Sequence, residues 1–269
     1  MLGRLIKYEL RSTSRIMLFI YAAVLAAGVV LGVVTRVDLA LGRAQFLNSS
    51  VVIGEDAPGV AGVILIILIA LYALLLTVMA VLTIIMIILR FNNSLLQGEG
   101  YLMHTLPVPT WMHVASKLIV AFAWEIIAGC VALASMLLIG GISGVLPRVL
   151  QELDLPSLFR EFLNDTGINL WVVMLMGLMS TILMILHFYF CMAVGNLANQ
   201  HKMLWAVIAY IATRTVFSIV SVVAGTSILS LFRATPAEIM THGVILILVL
   251  IAACFFGTNY ILKNKLNLA

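Results

Sequence analysis

Residues 60–89 read VAGVILIILIALYALLLTVMAVLTIIMIIL, thirty residues with no charge between Gly59 and Arg90. A helix crosses a hydrocarbon core about 30 Å thick with about 20 apolar residues. At about 1.5 Å per residue this block reaches about 45 Å, so it must tilt or project into water at one end. Five further blocks are long enough to span: roughly 16–35, 118–140, 170–197, 203–231 and 239–262. The chain as a whole agrees. Of its 269 residues 64% are hydrophobic and 10% charged, against about 45–50% and about 25% in soluble domains. That composition excludes a soluble enzyme, a disordered chain and a disulfide scaffold. The apolar blocks are continuous, not alternating, which excludes an outer-membrane barrel. The expected fold is an all-α integral membrane protein, one domain over residues 1–269 with six transmembrane helices.

Lysine and arginine set the orientation. Arg4, Lys7, Arg11, Arg15, Arg90, Lys117, Lys202, Lys263 and Lys265 fall on one side; Arg36, Arg43, Arg148, Arg160 and Arg233 fall on the other. The richer side is expected to be cytoplasmic, with both termini inside. The net charge of +4 then reflects cytoplasmic loops, and no nucleic-acid partner is expected. The first block follows a long basic lead and has full spanning length with no clear cleavage site, so it reads as a retained helix. Cys130, Cys191 and Cys254 each lie inside an apolar block and read as small buried hydrophobes.

Three segments flank or join the spans. Residues 1–15 form an amphipathic pattern, with Arg4, Lys7, Arg11 and Arg15 on one arc and Leu2, Leu5, Ile6 and Leu10 opposite. This segment is expected to lie in the membrane interface against lipid headgroups. Glu9 falls within its apolar face, either as a frayed interfacial carboxylate, the simpler reading, or in contact with a basic group on a neighbouring element. In the outer loop 141–169, Ser157 can cap a short helix with Leu158, Phe159, Phe162 and Leu163 on one face. Thr235-Pro236-Ala237-Glu238 reads as a capping box with proline at the first helical position of the sixth span.

The third segment, 90–117, is the longest cytoplasmic loop. It contains Glu99-Gly100-Tyr101-Leu102-Met103-His104-Thr105-Leu106-Pro107-Val108-Pro109-Thr110. Pro107 and Pro109 end any helix, and Thr110 can cap the next. A short helix around Glu99–Leu106 would make a compact knob able to dock in a partner's groove. An ordinary interfacial loop fits the composition equally well.

Two stretches resemble bacterial permease subunits of ATP-binding-cassette transporters, in the six-helix exporter branch. They are Met1-Leu2-Gly3-Arg4-Leu5-Ile6-Lys7-Tyr8-Glu9-Leu10 and Glu99–Val108 followed by Lys117. The resemblance implies that Glu99, Gly100, Tyr101, His104 and Thr105 belong to a coupling helix seated on a separate ATPase subunit. Lys7 and Glu9 within the first of these stretches, and Arg11 directly after it, are residues of the interfacial helix read from its amphipathic pattern. The resemblance also implies that a second permease subunit, identical or related, completes the pathway in the bacterial plasma membrane. The chain has no G-x-x-x-x-G-K-[ST] phosphate loop, so ATP and magnesium would be held by the ATPase subunit, and no cofactor is expected here. The cargo such proteins carry would be hydrophobic or amphipathic, a peptide or a lipid-like compound. The outer loop 141–169 departs from the branch, which places its extracellular helices between the fifth and sixth spans.

Within the spans, Glu125 lies eight residues past Lys117, about 12 Å deep, and Arg214 twelve past Lys202, about 18 Å deep. His187 comes within about 14 Å of the same surface near Asn196. An unpaired charge at such depth costs at least about 2.5–3.5 kcal/mol, so Glu125 and Arg214 are expected to pair. This cluster reads either as a gating or substrate-facing group or as a structural tie, with His187 a satisfied polar residue. As an ion relay, the same three residues would make the chain a secondary transporter, although no inverted repeat is evident. A membrane immunity or sensor protein is a further alternative. No H-E-x-x-H motif is present, and the five histidines are scattered, so neither an intramembrane enzyme nor a metal site is expected. Gly28/Gly32 and Gly140/Gly144 are spaced for close helix packing. Met174, Met176, Met179 and Met184 read as adaptable cavity lining or as filler.

Overall fold

The computed structural model describes residues 2–41, 44–47, 50–53, 60–96, 109–152, 157, 170–198, 200–232 and 236–265. Among these residues seven α-helices run in chain order: α1 (Leu2–Ala40), α2 (Val60–Phe91), α3 (Thr110–Ser143), α4 (Val145–Glu152), α5 (Leu170–Gly195), α6 (Lys202–Phe232) and α7 (Pro236–Asn264). All but α4 are long and apolar enough to cross a membrane, which makes this a multi-pass membrane protein. The one departure from all-helical structure among the described residues is a hairpin, β1 (Ala44–Leu47) with β2 (Ser50–Ile53). Its strands are antiparallel, with Ala44 opposite Ile53 and Leu47 opposite Ser50.

The helix limits show which local signals were decisive. α7 begins at Pro236, as the capping box predicts. α3 begins at Thr110, directly after Pro109 and eight residues before the apolar block. It ends at Ser143, and the next residue, Gly144, has a φ of +77°, the left-handed conformation that closes a helix. α2 runs into a π-helical turn at Asn92–Leu96, in which the Ser94 hydroxyl donates to the Arg90 carbonyl at 2.6 Å.

α1 corrects the expectation of a separate interfacial helix. Residues 2–15 and the first span belong to one continuous helix, Leu2–Ala40, of 39 residues. No glycine or proline occurs from Arg4 to Ala27, so nothing in the backbone chemistry interrupts the helix there. α4 is a helix not anticipated from the sequence. A short helix follows Gly144 directly, whereas the helix expected after Ser157 lies outside the described residues.

Two compact units divide the chain. The first comprises residues 1–10, 85–123 and 161–269; the second comprises 11–84 and 124–160. In the first unit α5 packs chiefly on α7 and next on α6. Its core holds Phe91, Leu95, Val114, Ile185, Leu186 and Tyr189, and Phe91 stacks on Tyr189 with centroids 4.1 Å apart. α5 and α6 meet at Gly195, where a β-carbon would lie 2.6 Å from Ala206 backbone.

In the second unit α1 lies against α3. A β-carbon on Gly28 would stand 3.3 Å from Ser135, and one on Gly32 would stand 3.2 Å from the Ile139 Cα. This glycine pair is therefore a packing motif. The other pair divides its labour: a β-carbon on Gly140 would lie 3.0 Å from Leu146 of α4, whereas one on Gly144 would meet nothing within 4 Å, and that residue serves the turn. Small residues let the helices approach, and polar contacts then join them. The Trp124 indole N–H donates to the Thr13 hydroxyl at 2.9 Å, and the Tyr21 hydroxyl donates to the Trp124 carbonyl at 3.1 Å. Tyr72 of α2 and Ser135 of α3 share a hydroxyl–hydroxyl bond of 2.6 Å.

Candidate functional site

In the first unit, charged side chains meet where the beginning of α1 comes against the end of α2 and the beginning of α3. Glu9 accepts a hydrogen bond from the Lys117 ammonium at 2.6 Å, and its other oxygen lies 3.9 Å from Nε of Arg90. The Lys117 side chain is 4% exposed and that of Glu9 13%. At that burial an ionised lysine needs a carboxylate close by. Of the two readings of Glu9, the contact with a basic group is correct and the frayed carboxylate is not. The signal was present in the sequence, because a carboxylate on an otherwise apolar helix face needs a buried partner. The partner's identity was not, since 108 residues separate Glu9 from Lys117.

Arg90 and Lys117 flank residues 97–108, so one carboxylate on α1 bridges the helices on both sides of that segment. Around the junction, the Thr110 hydroxyl donates to the Asn259 side-chain oxygen of α7 at 2.7 Å. His113 is buried on α3, three residues after Thr110. Glu99, Gly100, Tyr101, His104 and Thr105 lie outside the described residues. Lys7 and Arg11, one and a half turns or less from Glu9 along α1, are exposed.

Deeper in the same unit, His187 of α5 is 4% exposed. Its Nε2 lies 2.6 Å from the Thr213 hydroxyl of α6, and that hydroxyl is 2.7 Å from the Ala209 carbonyl. A hydroxyl has one proton; donated to Ala209, it leaves the oxygen to accept from His187, which therefore carries hydrogen on Nε2. The ring also stacks on Tyr210 at 4.9 Å and tilts against Phe217 at 5.0 Å. His187 is thus a satisfied polar residue within a helix–helix contact. Arg214, the next residue after Thr213, is exposed.

Glu125 belongs to the second unit. Its Oε1 is buried and accepts no hydrogen bond among the described residues. Arg214 belongs to the first. Cys191 and Cys254 are buried free thiols, whereas Cys130 is exposed, a correction to its expected burial. Met176 packs on Gly243 of α7, and Met174 is exposed, so the methionines of α5 do not share one environment. Among the described residues no group of three or more metal-binding side chains comes together. Comparison of the chain with family models, with curated proteins and with solved structures finds no match.

Proposed function

We propose that the chain is the membrane-spanning permease subunit of an ATP-binding-cassette exporter. It works with a second permease subunit and draws its energy from ATP hydrolysed on separate ATPase subunits. Its cargo is hydrophobic or amphipathic, a peptide or a lipid-like compound. Its termini and residues 90–117 face the cytoplasm of a bacterial plasma membrane, and residues 99–106 form the coupling helix.

The observation that carries this proposal is the bridge at Glu9. The two stretches that resemble the permease family are the first ten residues and the segment 99–108 with Lys117. Glu9 of the first is hydrogen-bonded to Lys117 of the second at 2.6 Å and lies 3.9 Å from Arg90 before that segment. A push on residues 97–108 would reach α2, α3 and the start of α1 together. Rigid-body movement of helices needs that kind of shared anchor.

Purification of the native complex tests the proposal. An ATPase subunit should travel with this chain, and membrane-active peptides or lipids should stimulate ATP hydrolysis by the reconstituted complex. Substituting Glu99→Ala with Tyr101→Ala should loosen the complex or uncouple transport while the chain stays folded, because a carboxylate and a tyrosine are typical interface anchors. A chain that purifies without an ATPase, and whose double variant transports as wild type, would sink it.

A further inference from the structure

Where α5 ends and α6 begins, a small recess with polar residues in its lining adjoins an apolar cleft. The recess, about 70 Å³, is lined by Asn92, Asn196 and Lys202 together with Met192 and Met203. The cleft, about 170 Å³, shares those two methionines and continues along Ile88, Phe188, Val207 and Tyr210. The recess and the cleft lie wholly in the first unit.

Three features of the recess point to an anion. Lys202 lines the recess and is the first residue of α6, a 31-residue helix, so a cationic residue and the positive end of the helix dipole serve the same recess. Asn196 is 7% exposed, and its side-chain Nδ2 is buried without a hydrogen-bond partner among the described residues. A buried amide donor in that state calls for an acceptor. Asn92, across the recess on the π-helical turn, adds a further amide.

The cleft points to what the anion is attached to. From Lys202 to Tyr210 the α6 face descends eight residues, about 12 Å, within the roughly 15 Å depth of one leaflet's hydrocarbon. Its lining is apolar, and methionine adapts to irregular chains. Polar groups at the helix ends with an apolar track running inward match a headgroup and an acyl chain.

We propose that the recess and cleft between α5 and α6 bind one anionic phospholipid, its phosphate held by Lys202 and Asn196 and one acyl chain laid along Met203, Val207 and Tyr210. The site needs only that these helices span a membrane, and it stands apart from the transporter proposal.

Native mass spectrometry of the full chain in mild detergent tests it, with titrations of phosphatidylglycerol, phosphatidylcholine and inorganic phosphate. Phosphatidylglycerol should bind more tightly than phosphatidylcholine, and inorganic phosphate should not displace it. Lys202→Gln should weaken phosphatidylglycerol about fivefold, the contribution of one cation near an anionic headgroup, and leave phosphatidylcholine unchanged. Val207→Trp, which fills the cleft, should weaken both lipids. Lys263→Gln, which removes an exposed charge on α7, should change neither. Wild-type lipid binding in both Lys202→Gln and Val207→Trp would overturn the proposal, as would displacement by inorganic phosphate, the mark of a free-anion site. If Lys202→Gln does not fold, Lys202→Arg should retain binding, and a photoreactive phosphatidylglycerol should label peptides of α5 and α6. Labelling confined to other helices would overturn it.

Discussion

Glu9 and Glu125 are both carboxylates on helices of spanning length, one in each compact unit. Glu9 holds Lys117 at 2.6 Å. Glu125 keeps a buried oxygen without a hydrogen bond among the described residues. The first unit is thus pinned at one end by an ion pair, above a core of stacked aromatic and aliphatic side chains. The second is joined along its length by small residues and neutral hydrogen bonds, such as Tyr72 with Ser135. A paired carboxylate near the helix ends is a structural tie that movement can pull on. A carboxylate with an open acceptor at membrane depth costs stability unless it has a task or a partner beyond its own unit.

The largest expected effect breaks the tie in the first unit. Glu9→Gln leaves the Lys117 charge buried without its carboxylate and should cost about 3–5 kcal/mol, read as a lower thermal midpoint in detergent. Adding Lys117→Met should restore most of that loss. If the single and double variants melt alike, the ion pair is not what holds this end together. Second in size is Gly195→Val. Its side chain would meet the Ala206 backbone, which cannot move aside as a flexible side chain can, and overpacking of this kind costs about 1–3 kcal/mol. Expression and melting should both fall; a neutral outcome would mean that α5 and α6 are free to separate there.

The third prediction sharpens the contrast at Glu125. If Arg214 is its partner, Glu125→Gln and Arg214→Gln should each lower stability, and the double variant should recover part of the loss, a coupling of about 0.5–3 kcal/mol. Strictly additive losses would send each charge to another partner, such as a neighbouring protein, a lipid headgroup or a bound molecule. A stable but inactive double variant would make the pair functional. The smallest expected effect is in the second unit. Tyr72→Phe removes one neutral interhelical hydrogen bond, a change that averages about 0.6 kcal/mol within membranes. A loss comparable to that of Glu9→Gln would erase the distinction between the two units.

The six spans were legible from the sequence because the bilayer imposes a one-dimensional rule. Backbone groups in hydrocarbon must bond within their own segment, so an apolar run of sufficient length becomes a helix whatever its neighbours are. Local stereochemistry was legible for the same reason, as Pro236 at the start of α7 shows. Other features needed the tertiary structure. The sequence marked Glu9 as out of place, but only folding brings Lys117 and Arg90 to it, because buried charges choose partners by proximity in space. Gly28/Gly32 and Gly140/Gly144 have the same spacing, yet one pair seats α1 on α3 while the other divides between a contact and a turn. The difference lies in which backbone each glycine faces, and spacing carries no record of that. The recess at Asn196 was illegible too. An asparagine at a helix end is ordinary, and its unmet hydrogen bond exists only once α6 and the π-helical turn after α2 close around it.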